Sequence, residues 1–507
     1  MNEISILNGY RIKDKKAIRY YNTVSDMVAD ETLKAGMLVK TSGYYENYDG
    51  GQAEYKIVDD NTLVADNGSI IALTNELFAK LIIENNTVNI KQFGAKGNNT
   101  DDDTEYIQTA INKANVIVFN ENENYKITSV IYIPSNKKLY GNGATFTMYS
   151  DLSLFRNEHY NSTTIDKNIV IEGINVDCTN VSETDQKNNV IFLCGVENVL
   201  INNCNFNDSK SDSVYIGTNN IENNYNDNVL ITNCNINNSR RNGISVIQGN
   251  VNIKNCYIIA NESNVSLFDI EPNNIYEKST VNIENSYFKG LGSVRIQVDE
   301  NLAPYDDINL FIKNSYIESS DNSALSFQRC DNVKVDNCKI KSTSTTTNAC
   351  VLGYHVNKLQ LLNNNIINSC TSGIRTSVCD NSNIYNNNIT GGRNSLELIN
   401  SSNCFIENNI IDGSEIGVWV RPETVESIFI KKNIIDNGSI AKIQVLGNYH
   451  NISNNKCIGN SEITSNRGID ISSSNTIVTE NIVGNSTTPI RVANSSTNVI
   501  QDNNITI

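Results

Sequence analysis

One short pattern recurs along most of this chain and limits its fold more than any other feature. From about residue 170 to the end, an apolar residue, any residue, Asn, then Cys, Ser or Asn, any residue and a second apolar residue return repeatedly. The pattern reads INNCNF from Ile201, ITNCNI from Ile231, IKNCYI from Ile253, IENSYF from Ile283, IKNSYI from Ile312, VDNCKI from Val335, and so on to IQDNNI from Ile500. Successive copies lie roughly 22 to 30 residues apart, the spacing of a solenoid. Within each copy apolar and polar residues alternate, which is the period of a strand and not of a helix. Between copies lies a second alternating segment, such as SVYIG around Val214, SVRIQV around Val294, SLELI around Leu396 and GVWV around Val418. Each coil therefore supplies about three short strands and three turns, and the fold class is all-β, a single-stranded parallel β-helix. Stacked coils bring like residues above one another at about 4.8 Å. Asn203, Asn233, Asn255, Asn285, Asn314, Asn337, Asn363, Asn386 and Asn408 are predicted to form one column that satisfies turn backbone groups.

Composition agrees with this reading and excludes several function classes. Hydrophobic residues make up 39% and charged ones 19%, the remainder being mostly Asn, Ser, Thr, Asp and Gly. Helices disfavour Asn, whereas turns favour it. A net charge of -16 argues against nucleic acid as a partner, since that affinity rests on Lys and Arg neutralising phosphates. No apolar run approaches the roughly 20 residues that span a bilayer, and MNEISILNGYRIKDKK lacks an apolar signal core; a soluble chain without its own secretion signal is expected. The twelve cysteines contain no CxxC pair, and His159, His355 and His450 lie far apart. Buried reduced thiols that act as small apolar fillers are expected, with no metal site and no cofactor.

Ahead of the repeat, FGAKGNNTDDDTEYIQTAINKA (Phe93 to Ala114) opens with a Gly-rich turn. Asp103 or Thr104 then caps a helix whose inner face holds Ile107, Ala110, Ile111 and Ala114. Such a helix covers the open edge of the first coil. No GK[ST] follows the glycines, so they are not read as a phosphate loop. This segment resembles the opening motif of pectate-lyase-like right-handed β-helices, found in glycoside hydrolases, pectin-degrading enzymes and phage tailspikes. The stretch TVSDMVADETLKAGMLVKTSGYYENYDGGQAEYKIVDD (Thr23 to Asp60) resembles the N-terminal domain of phage tail appendages. The resemblance implies an attachment module over 1–90, an opening motif and capping helix over 91–115 and a β-helix over 116–507. It also implies a homotrimeric virion protein, made in the host cytoplasm, that acts at the host cell surface on capsule, lipopolysaccharide or wall teichoic acid. Many relatives end in a trimerisation or chaperone domain, whereas the repeat here runs to Ile507; either such a domain is removed or partner chains cover the last coil.

Chemistry is sought on the solvent face. Alternation places Tyr215, Ser245, Ser266, Arg295, Ser326, Arg375, Glu397, Trp419, Gln444, Asp470 and Arg491 in one outward column, with Phe268, Gln297, Gln328 and Arg421 in the next. The acids Asp269, Glu271, Asp299 and Glu300 end adjacent strands near Arg295 and Arg329, and the long turns carry Tyr225, Tyr276 and Tyr305. Glycoside hydrolysis needs two carboxyl groups about 5 to 9.5 Å apart, which neighbouring coils supply. The four acids are therefore the catalytic candidates, and the arginines and tyrosines are polymer-binding candidates. Solvated turn acids and simple loop packing account for the same residues without chemistry. A second candidate joins Glu397 to Trp419, Arg421, Glu423 and Arg375. Three functions stay open: a polysaccharide hydrolase, a lyase or teichoic-acid phosphodiesterase, and a non-enzymatic receptor-binding spike.

Overall fold

The alternating segments fold as strands because each can bury one row of apolar residues, and Asn turns the chain between them. In the computed structural model, described over residues 18–182, 188–218, 225–261, 266–274, 276–301, 307–422, 424–458 and 465–507 together with strands Ile6–Leu7 and Tyr10–Arg11, the result is a parallel β-solenoid of about 16 turns. Three parallel sheets run its length. The first contains Val196–Asn202, Asp227–Thr232 and Gly249–Lys254, and the second Asn205–Asn207, Asn235–Asn237 and Tyr257–Ala260. The third contains Val214–Gly217, Asn242–Val246, Ser266–Ile270 and Val294–Gln297. In-register pairing stacks Ile201, Ile231, Ile253, Ile283 and Ile312 in one inward column, all buried.

The asparagine column sits between the first and second sheets, and every member expected there has a left-handed backbone, from φ 51° at Asn285 and Asn314 to 59° at Asn408. Asn tolerates that conformation better than other residues with a Cβ. The buried ladder that satisfies the turn backbone lies one residue further on. In the later coils it is Asn364, Asn387, Asn409, Asn433, Asn455 and Asn481, all buried. Asn387 donates from its backbone N and its Nδ2 to Asn409 Oδ1 at 2.8 and 3.0 Å, and from Nδ2 to the Leu361 carbonyl at 2.8 Å. Earlier coils fill the same place with Cys204, Cys234 and Cys256, whose Sγ atoms lie 3.6 to 3.7 Å from carbonyls of the preceding coils. All twelve cysteines are free and buried.

At the N-terminal end, five strands between Arg19 and Leu81 form a separate small sheet, with helix α1 (Val24–Val28) capped by Thr23. The solenoid's own pairing begins at Thr87–Asn89, which hydrogen-bonds in parallel to Val116–Val118, so the first coil starts before residue 116. Helix α2 (Thr104–Lys113) packs on that coil with Ile107, Ala110 and Ile111 fully buried. Its cap differs from expectation. Asp102 accepts from the Thr104 amide and hydroxyl at 3.0 and 2.6 Å, while Asp103 turns back to accept from the amides of Lys96 and Gly97 at 2.6 and 3.0 Å. Gly97 is left-handed (φ 61°) at that turn.

The two asparagine positions separate in a mutational test. Asn409→Ala strands buried donors and an acceptor on both neighbouring coils and is expected to lower stability by about 3 kcal/mol or more. Asn408→Gly keeps the left-handed turn and should cost at most about 1 kcal/mol. Denaturant midpoints of the two variants check this, and equal losses would contradict the ladder.

Candidate functional site

The register of the third sheet fixes its outward column as Arg156, Phe192, Tyr215, Ser245, Asp269, Arg295, Ser326, Leu352, Arg375, Glu397, Trp419, Gln444, Asp470 and Arg491. This corrects two expected placements. Phe268 pairs with Ile244 and Val294 and points into the core, and Ser266 pairs with Asn242, outside the column. The segment SLFDI holds apolar residues at consecutive positions, so alternation alone allows two frames. Pairing with the adjacent strands selects the frame that turns Asp269 outward. The second outward column contains Gln297, Gln328, Tyr354 and Arg421 as it runs along the sheet.

Asp269 nevertheless has no solvent exposure. Arg295 Nη2 donates to its Oδ2 at 2.7 Å, while Asp269 Oδ1 and Arg295 Nε have no hydrogen-bond partner among the described residues. Two coils away, in the turn before Val214–Gly217, Asp212 is equally buried, and neither of its oxygens is met by a hydrogen bond of normal geometry from the described residues. Arg241 lies between the coils, with Nε 3.7 Å from Asp212 Oδ1 and Nη2 3.5 Å from Glu271 Oε2. Burial pushes both aspartic acids up to about 6. Arg295 offsets part of the cost at Asp269, and Arg241, Ser245 and the Asn242 amide offset part at Asp212. Tyr215 flanks them, its phenol pushed up to about 12 by burial. Its ring lies against Gly217, where a Cβ would come within 2.1 Å of the ring, so a side chain at 217 would displace the tyrosine. Phe192 stacks on Tyr215 at 5.0 Å, and Arg156 covers Phe192 at 5.0 Å. Ser245, the small residue between Tyr215 and Asp269 in the column, is buried and accepts from Asn242 Nδ2 at 2.9 Å.

The remaining predicted residues are distributed around this centre. Asp299 and Glu300 are exposed; Asp299 accepts from Asn301 in its own turn at 2.8 Å, and Glu300 lies 3.4 Å from Arg329. Arg329 donates to the Val298 carbonyl at 3.2 Å and covers the Tyr354 ring. Tyr276 is exposed, Tyr225 donates to Asn250 Oδ1 at 3.0 Å, and Tyr305 and Glu423 lie outside the described residues. Asp212 and Arg241 were not picked out from the sequence. The available signal was register: Asp212 occupies the position that Asn242 and Ser266 occupy on the next two coils, an acid where its neighbours are neutral.

Further along the column a second group gathers. Glu397 is buried and accepts from Arg421 Nε and Nη2 at 2.8 and 2.6 Å and from Ser372 at 3.1 Å, with Arg375 Nε at 3.5 Å. Arg421 lies over the Trp419 ring at 4.4 Å beside a cavity of about 390 Å³. Near the N-terminal end, Glu158, His159 and Asp166 could offer three metal ligands. Asp166 is already occupied, accepting from Ser135, Asn157, the His159 amide and His159 Nδ1 at 2.8 to 3.1 Å, and the group acts as a clamp on its turn. No helix among the described residues is long and apolar enough to cross a membrane.

With this geometry established, comparison places the fold. A family model for a right-handed β-helix region matches residues 305–458. No curated protein sequence matches the chain. Among solved structures, the tailspike protein gp49 of Acinetobacter baumannii bacteriophage Fri1, a capsular polysaccharide depolymerase, aligns with a TM-score of 0.54 at 15% identity over 73% of this chain and 72% of its own. The pre-mature gene product 12 of bacteriophage phi29 aligns with a TM-score of 0.50 at 16% identity, covering 80% of this chain and 57% of that one. The chain therefore has the right-handed parallel β-helix fold seen in phage tailspike proteins.

The buried acids make a stability prediction. A carboxyl whose folded value is raised destabilises the fold once pH passes its unfolded value near 4, and the loss is complete above about 6. Asp212→Asn removes that loss and is expected to stabilise the protein by up to about 3 kcal/mol at pH 8 and by almost nothing at pH 3.5. Denaturant unfolding at the two pH values checks it; destabilisation at pH 8 would mean that Asp212 is held by compensating contacts.

Proposed function

We propose that this chain is a phage tail appendage that binds and depolymerises a bacterial surface polysaccharide during host adsorption, by hydrolysing glycosidic bonds above Ser245. The observation that carries the proposal is the pair of fully buried, incompletely bonded carboxyls of Asp212 and Asp269, both raised to about 6. Their coils are two steps apart, about 10 Å along the solenoid axis, and Asp212 also lies three residues along the strand from the Asp269 column, at the register of Asn242 and Ser266. Arg241 bridges from Asp212 to Glu271, beside Asp269, and two carboxyls with a water between them make the inverting arrangement.

Asp212, which has no cationic hydrogen-bond donor, is the one assigned to protonate the leaving oxygen; Asp269, whose ionised form the Arg295 hydrogen bond favours, is assigned to take a proton from the attacking water. Arg241 keeps Glu271 and Asp212 in register, and Tyr215 provides an apolar wall against a sugar ring. Asp299, Glu300, Arg329 and Tyr276 are assigned to polymer contact at the strand ends, and Tyr305, outside the described residues, is proposed as a further contact.

The likeness to tailspike structures supports a virion location and action at the host cell surface; the small separate sheet ahead of Thr87 is assigned as the attachment module. A homotrimer is supported by an exposed apolar stripe on the first and second sheets of the last coils, where Phe405, Ile410, Ile434, Ile477, Ile500 and Ile505 are each at least 40% exposed. Light scattering should give about three times the 56.3 kDa chain mass; a stable monomer would contradict the trimer.

For the reaction, purified host polymer should yield reducing ends, with neither unsaturated products nor released phosphate. Asp212→Asn and Asp269→Asn should each lower turnover about a hundredfold or more. Turnover should also fall as pH rises above about 6, as Asp212 loses its proton. Unsaturated ends would identify a lyase, released phosphate a phosphodiesterase, and no product a receptor-binding spike.

A further inference from the structure

We propose that the cavity beside Trp419 is a second polymer-binding site, selective for a sugar ring that carries a carboxylate. This rests on the reading that the third-sheet face binds a polysaccharide, and it names the chemistry of one of its units. Glu397 lies five coil steps along the column from Asp269, about 24 Å, so a chain lying parallel to the solenoid axis would touch both places.

Three observations point to an acidic sugar. The first is charge: Arg375, Arg393 and Arg421 line the cavity against Glu397 and Glu415, leaving one net positive charge in a chain of net charge -16. The second is the state of the donors. Arg421 places two N–H groups on Glu397 and its plane on Trp419, so it is a positioning residue. Arg375 approaches Glu397 only at 3.5 Å and makes no hydrogen bond to other described residues, so its fork can serve a planar carboxylate. The buried indole Nε1 of Trp419 likewise has no hydrogen-bond partner among the described residues, and as a donor it suits a hydroxyl or carboxylate oxygen. The third is the lining: Ile416 and Ile440 give the cavity an apolar side for the C–H face of a pyranose, and its roughly 390 Å³ fits a small ligand. Glu397 itself has both oxygens engaged, so it holds the arginines instead of transferring protons.

Trp419 is the only tryptophan of the chain, so its fluorescence reads this site without reference to cleavage. Titration with glucuronate, galacturonate and N-acetylneuraminate should give a saturable change in emission for at least one, with no change for glucose or inorganic phosphate. Arg375→Gln should weaken that binding at least tenfold. Arg393→Gln, at a largely exposed residue, should weaken it too and serves if Arg375→Gln fails to fold. Asp212→Asn should leave the titration unchanged, so loss of cleavage and loss of binding are told apart. No response to any acidic sugar, an equal response to glucose, or a response to phosphate alone would overturn the proposal, whatever the cleavage assay shows.

Discussion

In-register hydrogen bonding between successive coils is the constraint from which everything else in this molecule follows. Once the strands pair in parallel at about 4.8 Å, every position becomes a column, and each column must tolerate its residue repeated many times. Isoleucine meets that demand inside, left-handed asparagine meets it at the turn, and the amide ladder from Asn364 to Asn481 meets it for the buried backbone. The outward column of the third sheet has no such demand. There residues from distant parts of the chain, such as Asp269, Arg295 and Trp419, are free to differ from coil to coil.

A solenoid is also well suited to carry a costly site. Its stability is close to a sum over neighbouring coils, so coils with well-bonded ladders are independent of the few that hold Asp212 and Asp269. Asn242 and Ser266 fill the equivalent of the Asp212 position on the following coils without charge. The acid is therefore a local departure from a neutral pattern, placed where two further arginines converge. Departures of that kind cluster where function needs them.

The fold was legible because its signal repeats; thirteen imperfect copies of one motif outweigh the ambiguity of any single one. The site was legible only in part. Asp269, Glu271 and Arg295 were found from their strand ends, but SLFDI left the frame undecided and misplaced Phe268. Asp212 lay in a turn before its strand, where alternation gives no direction. The asparagine column was placed one residue early in its role, because the sequence shows both positions as Asn in the later coils and only the backbone angle separates them. That Glu397 is fully engaged by Arg421 and Ser372 is a matter of side-chain geometry, which no spacing rule contains.

The proposed cutting of a sugar chain over Ser245, between Asp212 and Asp269, is tested by a crystal structure of the Asp212→Asn protein with an oligosaccharide of the host polymer. The account predicts a chain parallel to the solenoid axis, one glycosidic oxygen within hydrogen-bond reach of the side chain at position 212, and the adjoining anomeric carbon facing Asp269. An oligosaccharide seated on another sheet, with the space above Ser245 holding only solvent, would contradict it.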